Sequence, residues 1–452
     1  MLSKIREFIK GVIRRMFNRD IYAKVTNTDD VAISNSMMTA IDNWKRMLQG
    51  KAKWVVDEEI ESMGLERSIV KEFANITLSE AETRIDGNDE LNEIYQKAIQ
   101  TLNENLQLFL ALGAGVIKPL GNGGDVEFIE ADKIIPLDFD ANGRLTQACF
   151  IQTKEVGDRL VYYRTEIHTL KDGKLNIQNK AFKGTKDILG DEIPLSWIEE
   201  WADLAEDVTY EVDTIDFGYY RNPLPNLIDG SKVGVSVYSG HENLIRKCDI
   251  QSARLDWEYD SAERAVFADW TAVKKTSGTN NNAFSFEAPK GKDRLYVGID
   301  MDDRLETFNP AIRDANFIAG KNEYLRELEF GVGLAYGDLS KNETVDKTAT
   351  EIKASKKRKY DMVTAIQNNL KTCLEDLAKA LAFYNSMYTT NYTVVCNFHD
   401  SILTDEETER QQDRADVASG FMSRLEYRMK WYNEDKETAL KNLPQIEQGM
   451  IQ

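Results

Sequence analysis

An α+β, helix-rich fold is predicted by three observations along these 452 residues. The first is a helix-length segment, 348–388, opened by Thr348 and Glu351 at the spacing of a capping box, in which each side chain satisfies the other residue's free backbone N–H. The second is a change of period after Gly113, where three- and four-residue apolar spacing gives way to short runs of β-branched and aromatic residues. The third is composition: 42% hydrophobic and 29% charged residues with only 8 prolines describe an ordered chain built from long elements.

From the amino end, residues 1–29 are expected to form a basic amphipathic helix. Leu2, Ile5, Phe8, Ile9, Val12, Ile13, Met16 and Phe17 share one face, with Lys4, Lys10, Arg14, Arg15 and Arg19 around it. Charges interrupt the apolar run throughout, which argues against a signal peptide. A helix of this kind can touch lipid, but packing or docking to a partner is the commoner use, so no membrane role is assigned. Residues 30–113 are expected to be helical, including 32–48 and 90–112. Strands are predicted at 116–118, 126–129, 134–137, 145–153 and 160–169, punctuated by glycine turns at 121–124, 142–143 and 172–173, which makes this an antiparallel sheet.

A second long helix is predicted for 241–272. Leu244, Cys248, Leu255, Tyr259, Ala262 and Val266 form its apolar stripe, and Arg246, Lys247, Arg254, Asp256, Glu258, Asp260, Glu263 and Arg264 load the remainder with both signs. Residues 276–282 read as a loop, 294–299 as a strand, and 312–330 as a third helix. A glycine-rich break, 331–347, precedes the long capped helix. There Ile352, Met362, Val363, Ile366, Leu370, Cys373, Leu374, Leu377, Leu381 and Tyr384 form one stripe along roughly 60 Å. A lone strand at 393–398 and a charged helical segment at 405–443 complete the chain. No apolar run reaches the length of a membrane span.

Motifs for chemistry are sparse. No GxxxxGK[ST] loop occurs, and Gly331, Gly333 and Gly337 have the wrong spacing for a dinucleotide fingerprint, so no cofactor is expected. The segment Gly234-Val235-Ser236-Val237-Tyr238-Ser239-Gly240 lacks the second glycine that a nucleophile elbow needs at 238, and reads as a turn into a helix. His168, His241 and His399 lie far apart in sequence. The carboxylates of Asp300, Asp302 and Asp303, and of Asp138 and Asp140, lack the spacing of a calcium loop, so no metal site is expected. Cys149, Cys248, Cys373 and Cys396 are widely separated and fit buried free thiols. Lys356-Lys357-Arg358-Lys359 is the one dense basic run. It can meet DNA phosphates, yet a solvated face or an ion-pair surface for a neighbouring subunit explains it more simply. A net charge of −19 argues against a protein that grips nucleic acid, though it suits one past which DNA slides; the ordinary solubility of a large acidic protein accounts for it too.

In order, these elements resemble a portal (connector) protein of tailed bacteriophages, particularly long-tailed phages of Gram-positive hosts. The resemblance is carried by the basic N-terminal helix, Ala131-Asp132-Lys133-Ile134-Ile135-Pro136 in the α+β block, and Gly234-Val235-Ser236-Val237-Tyr238 opening a helix. It continues in Leu255-Asp256-Trp257-Glu258-Tyr259-Asp260 with Glu263 after it, and most specifically in the glycine-rich segment leading to Lys347-Thr348-Ala349-Thr350-Glu351-Ile352. It covers nearly the whole chain.

The resemblance implies a wing at 30–237, joined by the long helix and returning strand at 348–403, with stem helices at 238–272 and 312–330. It further implies a clip at 273–311, a tunnel loop at 331–347 and a helical crown at 404–452. It implies a ring, usually of twelve subunits, at one capsid vertex, which seats the large terminase subunit during DNA packaging and later the head–tail adaptor, among the major capsid and scaffolding proteins. Double-stranded DNA passes through the ring without sequence preference. By the same resemblance Ser340, Lys341, Lys347, Lys356 and Lys357 would face the channel, Arg254, Asp256, Glu263 and Arg264 would meet neighbouring stems, and Gly278, Asn280, Asn281 and Asn282 would dock partners. No catalytic centre is implied. An acidic α+β hydrolase using carboxylates such as Asp300 and Asp302, or another virion scaffold protein, is the alternative reading.

Overall fold

The computed structural model describes residues 32–56, 59–157, 160–185, 188–262, 265–269, 296–299, 305–308, 310–341, 349–398, 406–432, 434 and 436–443. The N-terminal basic helix, the Thr348 cap, the loop at 276–282, the acidic run at 300–303 and His399 lie outside these. No described helix is long and apolar enough to cross a membrane.

Four helices lead. In α1 (Asn35–Leu48), Ser34 accepts a hydrogen bond from the Met37 N–H, which satisfies one of the free donors of the first turn, and Met37, Ile41, Trp44 and Met47 form the buried stripe. Next come α2 (Leu65–Ser79), α3 (Asp89–Ala98) and α4 (Leu102–Leu112). The helix expected over 90–112 is thus two, parted at 99–101. Asn88 caps α3 by accepting from the Leu91 N–H. Gly113 ends α4 in the left-handed region (φ 95°), and its backbone crosses that of Gly234 so closely that a Cβ on either would lie 2.1–2.3 Å from the other's carbonyl oxygen.

Strand β1 (Ala81–Asp86), within a region expected to be helical, pairs antiparallel with β14 (Thr393–Phe398). The strand read as lone therefore has a partner more than 300 residues away. β2 (Ala114–Pro119) lies between β3 (Val126–Glu130) and β10 (Gly218–Arg221). The largest sheet has the order β4 (Ile134–Phe139), β5 (Leu145–Val156), β6 (Leu160–Lys171), β7 (Lys174–Thr185) and β8 (Ile188–Ile193), with β9 (Asp207–Tyr210) sharing β7's edge with β8. The β6–β7 turn takes positive φ at both Asp172 (52°) and Gly173 (72°), the geometry whose twist matches a hairpin.

Helix α5 (Glu242–Ser261) stops short of the expected 272, and Val266 instead belongs to β11 (Ala265–Asp269). β11 pairs parallel with β12 (Tyr296–Ile299) and antiparallel with β13 (Leu305–Phe308). An Ala-Val-Phe-Ala run fits both periods, and strand partners distant in sequence decide it. The helices that follow are α6 (Asp314–Val332), α7 (Ala349–Tyr384), α8 (Glu406–Ser419), α9 (Arg424–Tyr432) and α10 (Lys436–Lys441). The last three replace the single charged helical segment expected at 405–443. With about 24% strand among the described residues, the fold is mixed α+β.

Helix α7, about 54 Å at 1.5 Å per residue, organises the interior. Val363, Ile366, Leu370, Cys373, Leu374, Leu377 and Leu381 are fully buried along it and join one core with α1 to α4. At about 1.5–3 kcal/mol per buried side chain, this stripe alone outweighs any surface ion pair in the molecule. It lies so close to β10 that a Cβ on Gly218 would stand 2.4 Å from the Cys373 carbonyl oxygen. A second core fills the space beneath the large sheet, around Val116, Phe150, Leu175, Ile177 and Phe217. All four cysteines are free and buried.

Candidate functional site

Helices α5 and α6 form an antiparallel pair whose register is fixed by side chains along its length. Glu258 near the end of α5 accepts hydrogen bonds from the Arg313 backbone N–H and guanidinium just before α6, at 2.6–3.0 Å. Gln251 donates to the Phe317 carbonyl, and the Lys247 ammonium stands 5.5 Å from the Tyr324 ring centroid. The buried face of α5 is Ile245, Cys248, Asp249, Leu255 and Glu258, so Tyr259, expected in the apolar stripe, is instead 43% exposed. Helix α5 follows two carboxylates inward as well as its apolar residues: Asp249 accepts from the Trp54 indole and the Met63 N–H, tying α5 to the segment before α2.

Of the residues expected at subunit contacts, Arg254 and Asp256 are exposed on α5, while Glu263 and Arg264 lie outside the described residues. The four expected to dock partners, Gly278, Asn280, Asn281 and Asn282, lie outside them too. Strand β12 lies at one edge of its three-stranded sheet.

After Gly333 (φ 90°) the chain turns back on α6, where Asp338 accepts from the Ala335 N–H and a buried carboxylate gathers the rest of the turn. Glu329, fully buried, accepts hydrogen bonds from the N–H groups of Gly337, Leu339 and Ser340 at 2.6–3.1 Å, and from the Ser340 hydroxyl at 2.9 Å. Ser340, expected at the channel, is therefore itself buried and turned toward Glu329. Lys341 is exposed, with its backbone N–H donating to Asn322; Lys347 lies outside the described residues.

The basic run on α7 divides in two. Lys356 and Lys357 are exposed. Lys359 is buried between Glu72 (2.7 Å) and Asp338 (3.0 Å), and the Arg358 guanidinium lies 4.5 Å from the Phe330 ring centroid. Half of the run is therefore used inside the chain, fastening α7 to α2 and to the turn after α6.

Sequence reasoning missed a buried ionic cluster under the large sheet. His168 on β6 donates from Nδ1 to Asp216 (2.7 Å) and from Nε2 to Glu166 (2.8 Å). Lys118 on β2 and Arg164 each stand 2.9 Å from Glu166, and the Tyr384 hydroxyl at the end of α7 donates to Asp216 at 2.6 Å. Burial by itself would lower the His168 pKa, but Asp216 and Glu166 raise it to about 9, so the ring is protonated at neutral pH. Burial would likewise raise Glu166, yet the His168, Lys118 and Arg164 charges hold it well below the usual carboxylate range. Both ring nitrogens are occupied by carboxylates and the ring is fully buried, so this histidine holds charge and has no lone pair free for a substrate proton. A signal was present in the strand: Arg164, Glu166 and His168 alternate, which puts three ionisable groups on one face.

Among the described residues no group of three or more His, Cys, Asp or Glu side chains could hold a metal ion. Asp138 and Asp140 accept from backbone N–H groups of Phe139 and Arg144 in the β4–β5 turn. Ser236 is buried, its hydroxyl oxygen accepting from the Tyr238 N–H. Compared with known proteins, the sequence matches no family model and none of the curated proteins.

Proposed function

We propose that this chain is the subunit of a phage portal, a homo-oligomeric ring at one capsid vertex through which DNA is packaged and ejected. The observation that carries this reading is the antiparallel α5–α6 pair. It is interrupted at one end by a small β insertion and followed by a pinned turn and a 36-residue helix, the order of stem, clip, tunnel loop and wing in such proteins. The pair exposes Arg246, Lys247, Arg254, Asp256, Glu323 and Glu327, charges of both signs with more surface than one chain covers. A ring grows by heterologous contacts, in which one face of each copy meets a different face of the next. In this reading the insertion carrying β11, β12 and β13 is the clip, which meets the large terminase subunit and then the head–tail adaptor. The net charge of −19 keeps passing duplex DNA from adhering.

The test is the mass of the purified protein in solution by light scattering or native mass spectrometry. A closed ring of about a dozen copies is expected. A monomer or dimer at every concentration examined overturns the proposal and favours a different class of protein.

A further inference from the structure

The two helices of the pair present outer faces of opposite character. On α5, residues 243, 246, 247, 250, 254, 257 and 261 recur at three- and four-residue spacing, away from buried Ile245, Cys248 and Asp249. This face is bulky and basic: Arg246, Lys247 and Arg254 are exposed, Ile250 is half-buried and Trp257 is 67% exposed. On α6 the face away from buried Leu325, Leu328 and Val332 exposes small and acidic residues, Ala315, Asn316, Ala319, Glu323 and Glu327, with Arg326 paired to Glu323 at 3.6 Å and Phe330 57% exposed at its far end. Among the described residues nothing accounts for an indole left this open in a helix that buries two carboxylates and a cysteine.

The contacts within the pair supply a ruler. Lys247 is level with Tyr324, Gln251 with Phe317, and Glu258 with Arg313. Arg246 and Lys247 therefore stand at the height of Glu323 and Glu327, and Trp257 at the height of Ala315. Rotation about a ring axis leaves height along that axis unchanged. With the pair standing along the axis, groups level within one subunit are then also level between neighbours. Basic meets acidic at one level, and a large ring meets small side chains at the other.

We propose that the outer face of α5 in one subunit seats on the outer face of α6 in the next copy of this chain, with Arg246 and Lys247 against Glu323 and Glu327, and Trp257 against Ala315 and Ala319. This inference rests on the ring reading above and gives it a partner surface and a register. The acidic and basic groups select the neighbour and its height, and the indole supplies the apolar burial that a surface ion pair does not.

The experiment uses the full chain. Two double variants, Arg246→Glu with Lys247→Glu and Glu323→Lys with Glu327→Lys, change exposed side chains whose contacts within the chain are the Lys247–Tyr324 ring contact and the Glu323–Arg326 pair; circular dichroism and thermal melting establish first that each variant is folded as the parent is. Each is expected to lower the ring fraction by at least tenfold at equal concentration, because like charges then face one another. A chain carrying all four substitutions restores opposite charges at the same height and is expected to regain rings. Trp257→Ala should raise the concentration needed for assembly about tenfold. If either double variant assembles as the parent does, or the fourfold variant fails to recover while folded, this pairing is overturned and the ring reading stands. A parent that never forms rings removes both, and is recognised before any variant is made.

Discussion

Under the large sheet, Lys118, Arg164, Glu166, His168 and Asp216 close on one another out of solvent, whereas on the α5–α6 pair Arg246, Arg254, Asp256, Glu323 and Glu327 stand in water. The same residue types do opposite work. Inside, each charge has a partner at hydrogen-bond distance, and removing one leaves another stranded in a medium that cannot solvate it. The cluster therefore fixes how β2, β6 and the end of α7 meet. Outside, each charge contributes little to the stability of its own chain, which leaves it free to act on whatever approaches. What the difference teaches is that ion pairs in this molecule are informative by location: the buried ones describe one subunit, the exposed ones its surroundings.

The comparison breaks first at Asp216. Asp216→Ala strips His168 of a counter-ion and Tyr384 of its acceptor, and should destabilise the chain by about 3–5 kcal/mol in urea unfolding. A loss under about 1 kcal/mol means the cluster does not organise the sheet.

Next comes pH. The His168 pKa, raised from its ordinary 6.5 to about 9, means the folded state holds a proton that the unfolded chain has released. Its contribution is complete below pH 6.5 and is lost as pH rises through about 9, a fall of up to about 3 kcal/mol. His168→Gln should flatten the stability curve across that window; an unchanged slope assigns it to another group.

Glu66 sharpens the contrast, because it is a buried carboxyl without a hydrogen-bond partner on either oxygen. Burial, with the Asp249 charge adding to it, raises its pKa to about 7, while the dipole of its own backbone N–H and, more weakly, Arg67 oppose. The folded state thus retains a proton between about 4.5 and 7 that the unfolded state loses, so stability falls as pH rises through that range and stays lower above it. Glu66→Gln removes the cost of ionising in place and should stabilise the chain by about 2–3 kcal/mol at pH 8, with almost no effect at pH 4. Equal effects at both values would sink the assignment.

The smallest effect belongs to the exposed set. Arg254→Glu should alter subunit stability by less than about 0.5 kcal/mol while impairing assembly. A large loss of stability in the isolated subunit would show that this arginine belongs to its own chain after all.

Much of the fold is legible in the sequence, for physical reasons that also mark where legibility stops. The stripe of α7 and the hairpins at 121–124, 142–143 and 172–173 are local patterns of period and turn chemistry, and each appears where the pattern lies. Strand β1 falls in a stretch expected to be helical, because Ala81-Glu82-Thr83-Arg84-Ile85-Asp86 has one buried residue and its partner β14 comes near the other end of the chain. The end of α5 at Ser261 is set by β12 and β13, which the residues before it do not encode. At the candidate site, charge on α5 could be read but not its direction: Glu258 turns inward to Arg313 and Arg254 outward. Helical periodicity ranks residues by apolarity, and a paired carboxylate on the inner face is invisible to it.

The turn after α6 carries a consequence for how this protein can change. Its shape is dictated by Glu329, which gathers three peptide N–H groups and the Ser340 hydroxyl, with Gly333 and Gly337 at positive φ. Peptide N–H groups are the same whatever side chain they carry. Positions such as Ala335 and Lys341 can therefore drift in charge and size while the backbone keeps its course, and a lineage can retune what this turn presents to its surroundings without relearning how to fold it. The constraint falls instead on a glutamate that no partner ever sees.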